Sequence, residues 1–244
     1  MKRYRLLDSI RGITLLSMIA YHAVWDLVNL FGVRLEWYGS QIGYVWQQSI
    51  CWTFILLSGF CWGLGRKKLK RGLMVFAGGF VITAVTLLFM PENRVVFGVL
   101  TLLGTCMLIQ ILLEPLCKRC HCVVGLLLSF LLFLGLKDIN DGYLGIEEWM
   151  SIEVPDEIYA NLFTTFLGFP TRNFSSADYF SVLPWYFLFL TGYFLYRFMQ
   201  EKKLLQKLPD IPLVPLEWIG KNSLILYMVH QPVVYGVLYL AMLV

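Results

Sequence analysis

Four ionisable side chains lie in one predominantly apolar stretch near the start of the sequence, at Asp8, Arg11, His22 and Asp26. Because an α-helix turns by about 100° per residue, the four positions fall within about 60° of arc and form one polar stripe. Asp26 follows His22 by one helical turn, so its carboxylate can reach an imidazole nitrogen. An imidazole held in one tautomer is a better base. We therefore predict His22 as a catalytic base and Asp26 as the residue that orients it.

A second histidine occupies the last apolar stretch, in the sequence EWIGKNSLILYMVHQP. His230 lies eleven residues beyond Ile219, which predicts a depth in the membrane similar to that of His22. We predict His230 as a further catalytic residue, although the sequence leaves open whether the two histidines meet. Asn222 and Ser223 are expected to cap the start of this helix, because such side chains accept hydrogen bonds from free backbone N–H groups.

A third candidate region lies before the sixth apolar stretch, in the sequence SSADYF. Ser175 and Asp178 have the spacing of a capping box, which predicts the start of a helix. Alternatively, Asp178, Tyr179 and Trp185 lie at the outer mouth of the protein and contact a substrate. The sequence favours neither interpretation over the other.

The elements that must position these residues are membrane-spanning helices. Hydrophobic residues make up 58% of the 244 residues and charged residues only 15%, whereas soluble domains average about 45–50% and about 25%. This composition predicts one integral membrane domain over residues 1–244. The polar stripe must then face the interior of a helix bundle or a water-filled cavity, because each charged group facing lipid costs roughly 2.5–3.5 kcal/mol.

Seven apolar stretches predict an all-α, polytopic transmembrane helix bundle. The predicted spans are residues 10–31, 43–64, 72–90, 95–116, 122–136, 179–198 and 219–242. A long polar loop separates the fifth span from the sixth. Within this loop, residues 158–169 are too few to cross the bilayer and predict an interfacial or re-entrant helix.

The positive charges of the loops predict the orientation of the spans. Fifteen of the 20 Lys and Arg residues fall on the side of the N-terminus. Because short cytoplasmic loops are enriched in these residues, we expect a multi-pass plasma-membrane protein with a cytoplasmic N-terminus and the long loop outside. The basic face could bind a polyanion such as coenzyme A, but membrane orientation alone explains its charges.

The six cysteines and the loop CKRCHC predict neither a disulfide framework nor a metal site. Disulfide frameworks belong to small secreted chains, and structural zinc sites usually separate two ligand pairs by a longer loop. The sequence contains no nucleic-acid-binding motif. We therefore expect no metal and no nucleic-acid partner.

The chain resembles the bacterial membrane family related to the heparan-α-glucosaminide N-acetyltransferase catalytic domain. The resemblance covers LDSIRGITLLSMIAYHAVWDL, FILLSGF, GFPTRNFSSADYFSVLPWYFLFLTGYFLYR and IGKNSLILYMVHQPV. The ten residues between Arg11 and His22, followed by Ser-Gly-Phe in the second predicted span, also resemble the acyltransferase-3 family of sugar O-acylating membrane enzymes.

This resemblance implies that an acetyl or other acyl group moves from cytoplasmic acetyl-CoA, or another acyl-CoA, to an extracytoplasmic sugar amine or hydroxyl. By the acyltransferase-3 pattern, His22 is the catalytic histidine, as general base or acyl carrier, and Arg11 binds the donor. We expect Asn222 to join Arg11 in donor binding. The sugar contacts would be the three residues of the outer mouth. A developing oxyanion needs hydrogen-bond donors. The candidates are His230, Asn222, Tyr21 and Trp185, and the sequence does not choose among them.

Two other classes of function remain open at this point. A small-solute or proton-coupled transporter would use the polar stripe as a relay, and a non-catalytic helper in envelope assembly would need no chemistry at all. Solute flux without acyl-CoA distinguishes the transporter, and absence of acyl-CoA binding and hydrolysis distinguishes the helper. The sequence leaves the oligomeric state open, with a homodimer among the states it allows.

Overall fold

The computed structural model describes residues 4–146, 150–210 and 212–243, and over these residues the protein is nearly all α-helical. Its helices are α1 (Arg5–Asn29), α2 (Gln41–Trp62), α3 (Lys68–Phe89), α4 (Val99–Arg119), α5 (Cys122–Leu136), α6 (Leu162–Leu167), α7 (Val182–Glu201), α8 (Val214–Lys221) and α9 (Ser223–Met242). Between α5 and α6, strands β1 (Tyr143–Ile146) and β2 (Met150–Glu153) form an antiparallel hairpin.

Four helices of the described chain are long and apolar enough to cross a membrane. They are α3, α4, α9 and the segment Cys122–Asp141, which consists of α5 and the short 3-10 turn that follows it. With 25, 22 and 20 residues, α1, α2 and α7 also have the length of a span. The number of seven spans, the cytoplasmic N-terminus and the outer position of the long loop stay predictions.

The structure corrects four predictions about helix ends. The sixth predicted span begins at Val182 with Ser181 at its N-cap, so the interpretation of Ser175 as the start of this helix is wrong. The last predicted span is divided at Asn222 into α8 and α9. The Asn222 side chain does not cap the start of α9, because its Nδ2 donates to Trp218 O and closes the end of α8 instead. The predicted interfacial helix shortens to α6, whose Asn161 N-cap accepts from two backbone N–H groups.

The chain divides into a terminal unit (Met1–Leu57 with Leu204–Val244) and a central unit (Ser58–Lys203). In the terminal unit, α1 packs against α8 and α9. In the central unit, α3 packs against α4, and both α4 and α5 pack against α7. That the whole chain forms a single domain stays a prediction.

Two glycines allow α1 and α8 of the terminal unit to approach closely. A Cβ atom added at Gly12 would collide with the Leu216 carbonyl, and one added at Gly220 would collide with the Asp8 carbonyl. Because these neighbours are backbone atoms, a larger residue would push the helices apart. The adjacent core consists of Leu15, Met18 and Ile50.

Buried polar pairs fix the helices of the central unit. Tyr186 donates its hydroxyl hydrogen to Gln110 Oε1 at 2.8 Å, which joins α7 to α4. Thr191 donates to Ser129 Oγ at 3.0 Å, which joins α7 to α5. In an apolar environment an unpaired polar group is costly, so these bonds specify which helix faces meet.

Candidate active site

Within the terminal unit, the polar stripe of α1 faces α8 and α9. That it faces the interior of a bundle or a wet cavity stays a prediction. Asp26 is fully buried and Asp8 is also buried, whereas Arg11 and His22 are half-buried. The contacts that join the stripe to the C-terminal helices include those of Arg11 with Gly220, His22 with His230 and Asp26 with Gln231.

Arg11 lies where α8 ends and α9 begins. Its Nη1 is 3.4 Å from both Asp8 Oδ1 and Gly220 O. The last carbonyls of a helix lack partners within the helix and carry partial negative charge, so a guanidinium is stabilised there. Asn222 closes the same helix end through Trp218 O. The structure thus brings Arg11 and Asn222 to one helix junction, and their role in donor binding stays a prediction.

His22 and His230 lie side by side, with ring centroids 4.8 Å apart and ring planes at 61°. His230 Nδ1 is hydrogen-bonded to the carbonyl oxygen of Tyr227. Because a carbonyl can only accept, Nδ1 carries the hydrogen, and Nε2 of neutral His230 is an acceptor. That Nε2 atom is buried without a hydrogen-bond partner within the described residues.

This tautomer narrows the choice of an oxyanion donor. Neutral His230 has no second N–H to offer, so it would have to be protonated before it could donate to an oxyanion. Tyr21, whose ring centroid is 6.2 Å from that of His22, accepts a hydrogen bond from the Tyr38 hydroxyl at 3.2 Å. Burial raises the pKa of Tyr38, so this group stays protonated and can donate. Tyr21 accordingly keeps its own hydroxyl hydrogen for another acceptor.

Asp26 is paired with a residue that the sequence analysis missed. Gln231 Nε2 donates to Asp26 Oδ1 at 2.6 Å. The other oxygens of the pair, Asp26 Oδ2 and Gln231 Oε1, are buried without a partner. Between His22 and Asp26 no hydrogen bond is present in the described part of the chain, and the orienting role of Asp26 stays a prediction. The signal in the sequence was a second polar residue directly after His230 in an apolar helix.

The three residues predicted at the outer mouth belong to the central unit, and each side chain has a partner there. Asp178 Oδ2 accepts from the backbone N–H of Val99 in the first turn of α4, at 3.1 Å. Tyr179 donates to the carbonyl oxygen of Thr165. Trp185 is buried against two phenylalanine rings. These contacts explain the three residues structurally, and their contact with a substrate stays a prediction.

Among residues 4–146, 150–210 and 212–243, no group of three His, Cys, Asp or Glu side chains could hold a metal ion. The site contains the His22 imidazole as a base, the second imidazole of His230, and the carboxyl–amide pair of Asp26 and Gln231. These groups suit the transfer of protons during attack on an activated acyl group, which needs a base and no metal.

The fold and the site define a helical membrane protein whose candidate centre is a pair of imidazoles between its first and last helices. A family model described as heparan-alpha-glucosaminide N-acetyltransferase, catalytic, matches residues 3–232. The match covers nearly the whole chain, and the protein belongs to this family. The predicted family relation is therefore confirmed, and it implies an acetyltransferase enzyme in a membrane. No curated protein and no solved structure gives a significant match.

Proposed function

We propose that this protein transfers an acetyl or other acyl group from cytoplasmic acetyl-CoA, or a related acyl-CoA, to a sugar amine or hydroxyl on the outer side of the membrane. The observation that carries the proposal is the contact between His22 and His230 in a chain of this acetyltransferase family. Two imidazoles in contact within a membrane protein are expensive to bury and are typical of a functional site.

In the direct route, His22 acts as the general base. It accepts the proton of the acceptor's N–H or O–H group while the nitrogen or oxygen attacks the carbonyl carbon of the thioester. The C–S bond then breaks, the acyl group stays on the acceptor, and the coenzyme A thiolate takes the proton from the His22 imidazolium. No proton is gained or lost overall, so the base is ready for the next cycle.

In the alternative route, a ring nitrogen of His22 attacks the carbonyl carbon of the thioester, the C–S bond breaks, and the thiolate leaves as coenzyme A thiol with the N–H proton of the imidazole. The acceptor then attacks the acyl-imidazole, the C–N bond to His22 breaks, and the imidazole regains a proton from the acceptor. This route needs no simultaneous binding of donor and acceptor. It suits a reaction in which the acyl group must move from one side of the membrane to the other.

The acyltransferase-3 pattern assigns the base to His22, and the hydrogen bond of His230 suits this second imidazole to a different role. His230 Nδ1 is committed to Tyr227 O, which leaves one acceptor nitrogen on that ring. That nitrogen can receive a proton from the His22 imidazolium, so His230 is suited to a relay. Arg11 lies about 16 Å from His22 along α1, on the proposed cytoplasmic side, where it can meet the coenzyme A part of the donor.

Sealed proteoliposomes test the proposal. Acetyl-CoA is added outside, an alkyl α-glucosaminide or the matching glucoside is enclosed inside, and acetylated glycoside is measured by mass spectrometry. We expect acetylated product inside the vesicles only when both protein and acetyl-CoA are present. Release of unmodified glycoside at the same rate with or without acetyl-CoA would favour the transporter and refute the transferase.

A further inference from the structure

Asp26 and Gln231 form a buried pair with an unequal number of hydrogen-bond donors and acceptors. Asp26 is fully buried, and Gln231 Nε2 donates to its Oδ1 atom at 2.6 Å. The second oxygen of each group, Asp26 Oδ2 and Gln231 Oε1, is buried and has no partner in the described chain. If Asp26 is a carboxylate, both of these atoms are acceptors, and neither can satisfy the other.

In the described part of the chain, no cation forms an ion pair with the Asp26 carboxyl group. His22 lies one turn before it on α1, and His230 directly precedes Gln231 on α9. Burying an ionised carboxylate without a cation is so costly that such a group usually becomes neutral. A charged Asp26 is therefore poorly explained by its contacts.

A proton on the Asp26 carboxyl group explains both the unpartnered oxygens and the lack of a paired cation. A protonated carboxyl group has one O–H donor and one carbonyl acceptor, and a primary amide likewise has N–H donors and one carbonyl acceptor. If Oδ2 of Asp26 carries hydrogen, it can donate to Gln231 Oε1 while Gln231 Nε2 donates to Asp26 Oδ1. Each of the two unpartnered oxygens then has a complementary partner in the other, and no buried charge remains.

We propose that Asp26 is a neutral carboxylic acid at neutral pH and that Gln231 is the positioning residue that holds it in this acid–amide pair. The catalytic meaning rests on the proposed function, whereas the protonation itself does not. A carboxylate one turn from His22 would stabilise an imidazolium and so occupy the base with a proton. A neutral Asp26 leaves the His22 imidazole free to accept the acceptor's proton.

Infrared difference spectroscopy tests the protonation without any substrate. The protein is purified in detergent at neutral pH, and the spectrum of Asp26→Asn is subtracted from that of the wild type. Asn is a suitable replacement because its amide can pair with Gln231 as a neutral acid does, so the fold is kept. We expect the difference to contain the C=O stretching band of a protonated carboxyl group. A carboxylate band in its place would overturn the proposal.

Gln231→Leu tests the pairing. We expect the protonated-carboxyl band of Asp26 to move to higher frequency, because Asp26 loses the hydrogen bond to its carbonyl oxygen. Gln110→Leu is the control, since Gln110 is a buried glutamine whose side chain accepts a hydrogen bond but lies in the central unit. A band that stays in place in Gln231→Leu, or moves equally in Gln110→Leu, would show that Gln231 does not hold Asp26.

Acetyl transfer gives the catalytic readout. Loss of one hydrogen bond that acts through Asp26 should lower kcat of Gln231→Leu by about tenfold, with the KM for acetyl-CoA unchanged. The Gln110→Leu control should keep the wild-type kcat. An unchanged kcat in Gln231→Leu would overturn the positioning role. If the wild type has no transferase activity, the proposed function fails, and the infrared result still decides the protonation of Asp26.

Discussion

Replacement of either glycine at the crossing of α1 and α8 by alanine should destabilise the terminal unit. The single added methyl group at Gly12 or Gly220 points into the backbone of the facing helix, at Leu216 or Asp8. A backbone carbonyl cannot rotate away as a side chain can, so the two helices must separate. We therefore expect Gly12→Ala and Gly220→Ala to act alike, although they lie on different helices.

The expected loss of stability follows from how crowded each glycine position is. Overpacking of a well-packed contact costs about 1–3 kcal/mol. Gly236→Ala is the matched control, because Gly236 lies in α9 and nothing is within 4 Å of an added Cβ atom. In an open helix position, alanine is more stable than glycine by roughly 0.5–1 kcal/mol. The two classes of variant should therefore differ by about 1.5–4 kcal/mol in free energy of unfolding.

Denaturant unfolding of the purified variants in one detergent, followed by circular dichroism, measures this difference. The crossing also carries the contact between Arg11 and Gly220 O, so Gly220→Ala should additionally lower any acetyl transfer. If Gly220→Ala and Gly236→Ala unfold at the same denaturant concentration, then α1 and α8 do not approach as described. The arrangement of the whole candidate site would then lose its support.

Two further pairs of substitutions test the central unit. Asp178→Ala removes the acceptor for a free backbone N–H in the first turn of α4 and should cost about 0.5–2 kcal/mol of stability, whereas Asp156→Ala breaks an exposed ion pair and should cost less than about 0.5 kcal/mol. Lys68→Met should cost about 1.5–3 kcal/mol, because Lys68 donates to both oxygens of the largely buried Glu114. Lys118→Met should cost less, since Lys118 is 63% exposed. Denaturant midpoints check all four; equal midpoints within either pair of variants would contradict the assigned contacts.

The parts of the fold that hydrophobic pattern alone determines were predictable. Helix α5 begins and ends at the predicted residues, 122 and 136, because its sequence is an apolar run, broken only by Ser129, between polar loops. The division of the last predicted span at Asn222 was not predictable in this way. Asn222 interrupts the helix through a side-chain bond to the preceding turn, and this bond depends on geometry that apolar periodicity does not contain.

The residues of the candidate site that lie on α1 were predictable from the sequence, whereas their contacts with α9 were not. The spacing of Asp8, Arg11, His22 and Asp26 defined the polar stripe, because all four share one helical face. The contact of His22 with His230 and the pairing of Asp26 with Gln231 depend on how α1 and α9 pack. A helical wheel gives the direction of a side chain and not its partner on a distant segment.

For Asp178, Tyr179 and Trp185, the sequence suggested a substrate contact where the structure shows contacts within the protein. A polar or aromatic side chain near a predicted membrane boundary can bind a substrate, anchor the protein or close a helix end, and the sequence does not distinguish these roles. The carboxylate of Asp178 accepts from the start of α4, a helix about 80 residues earlier in the chain. Only the long-range fold shows this partner, because neither residue alone indicates the other.

Comparison of the three histidine variants measures the central claim most directly. Acetyl transfer from acetyl-CoA is followed for His22→Ala, His230→Ala and His121→Ala, and His121 serves as the control because it lies at the exposed start of α5. Loss of a general base should lower the rate of His22→Ala by roughly 100-fold or more, with a smaller loss for His230→Ala and none for His121→Ala. Wild-type transfer by folded His22→Ala would contradict the assignment of the paired imidazoles as the catalytic centre.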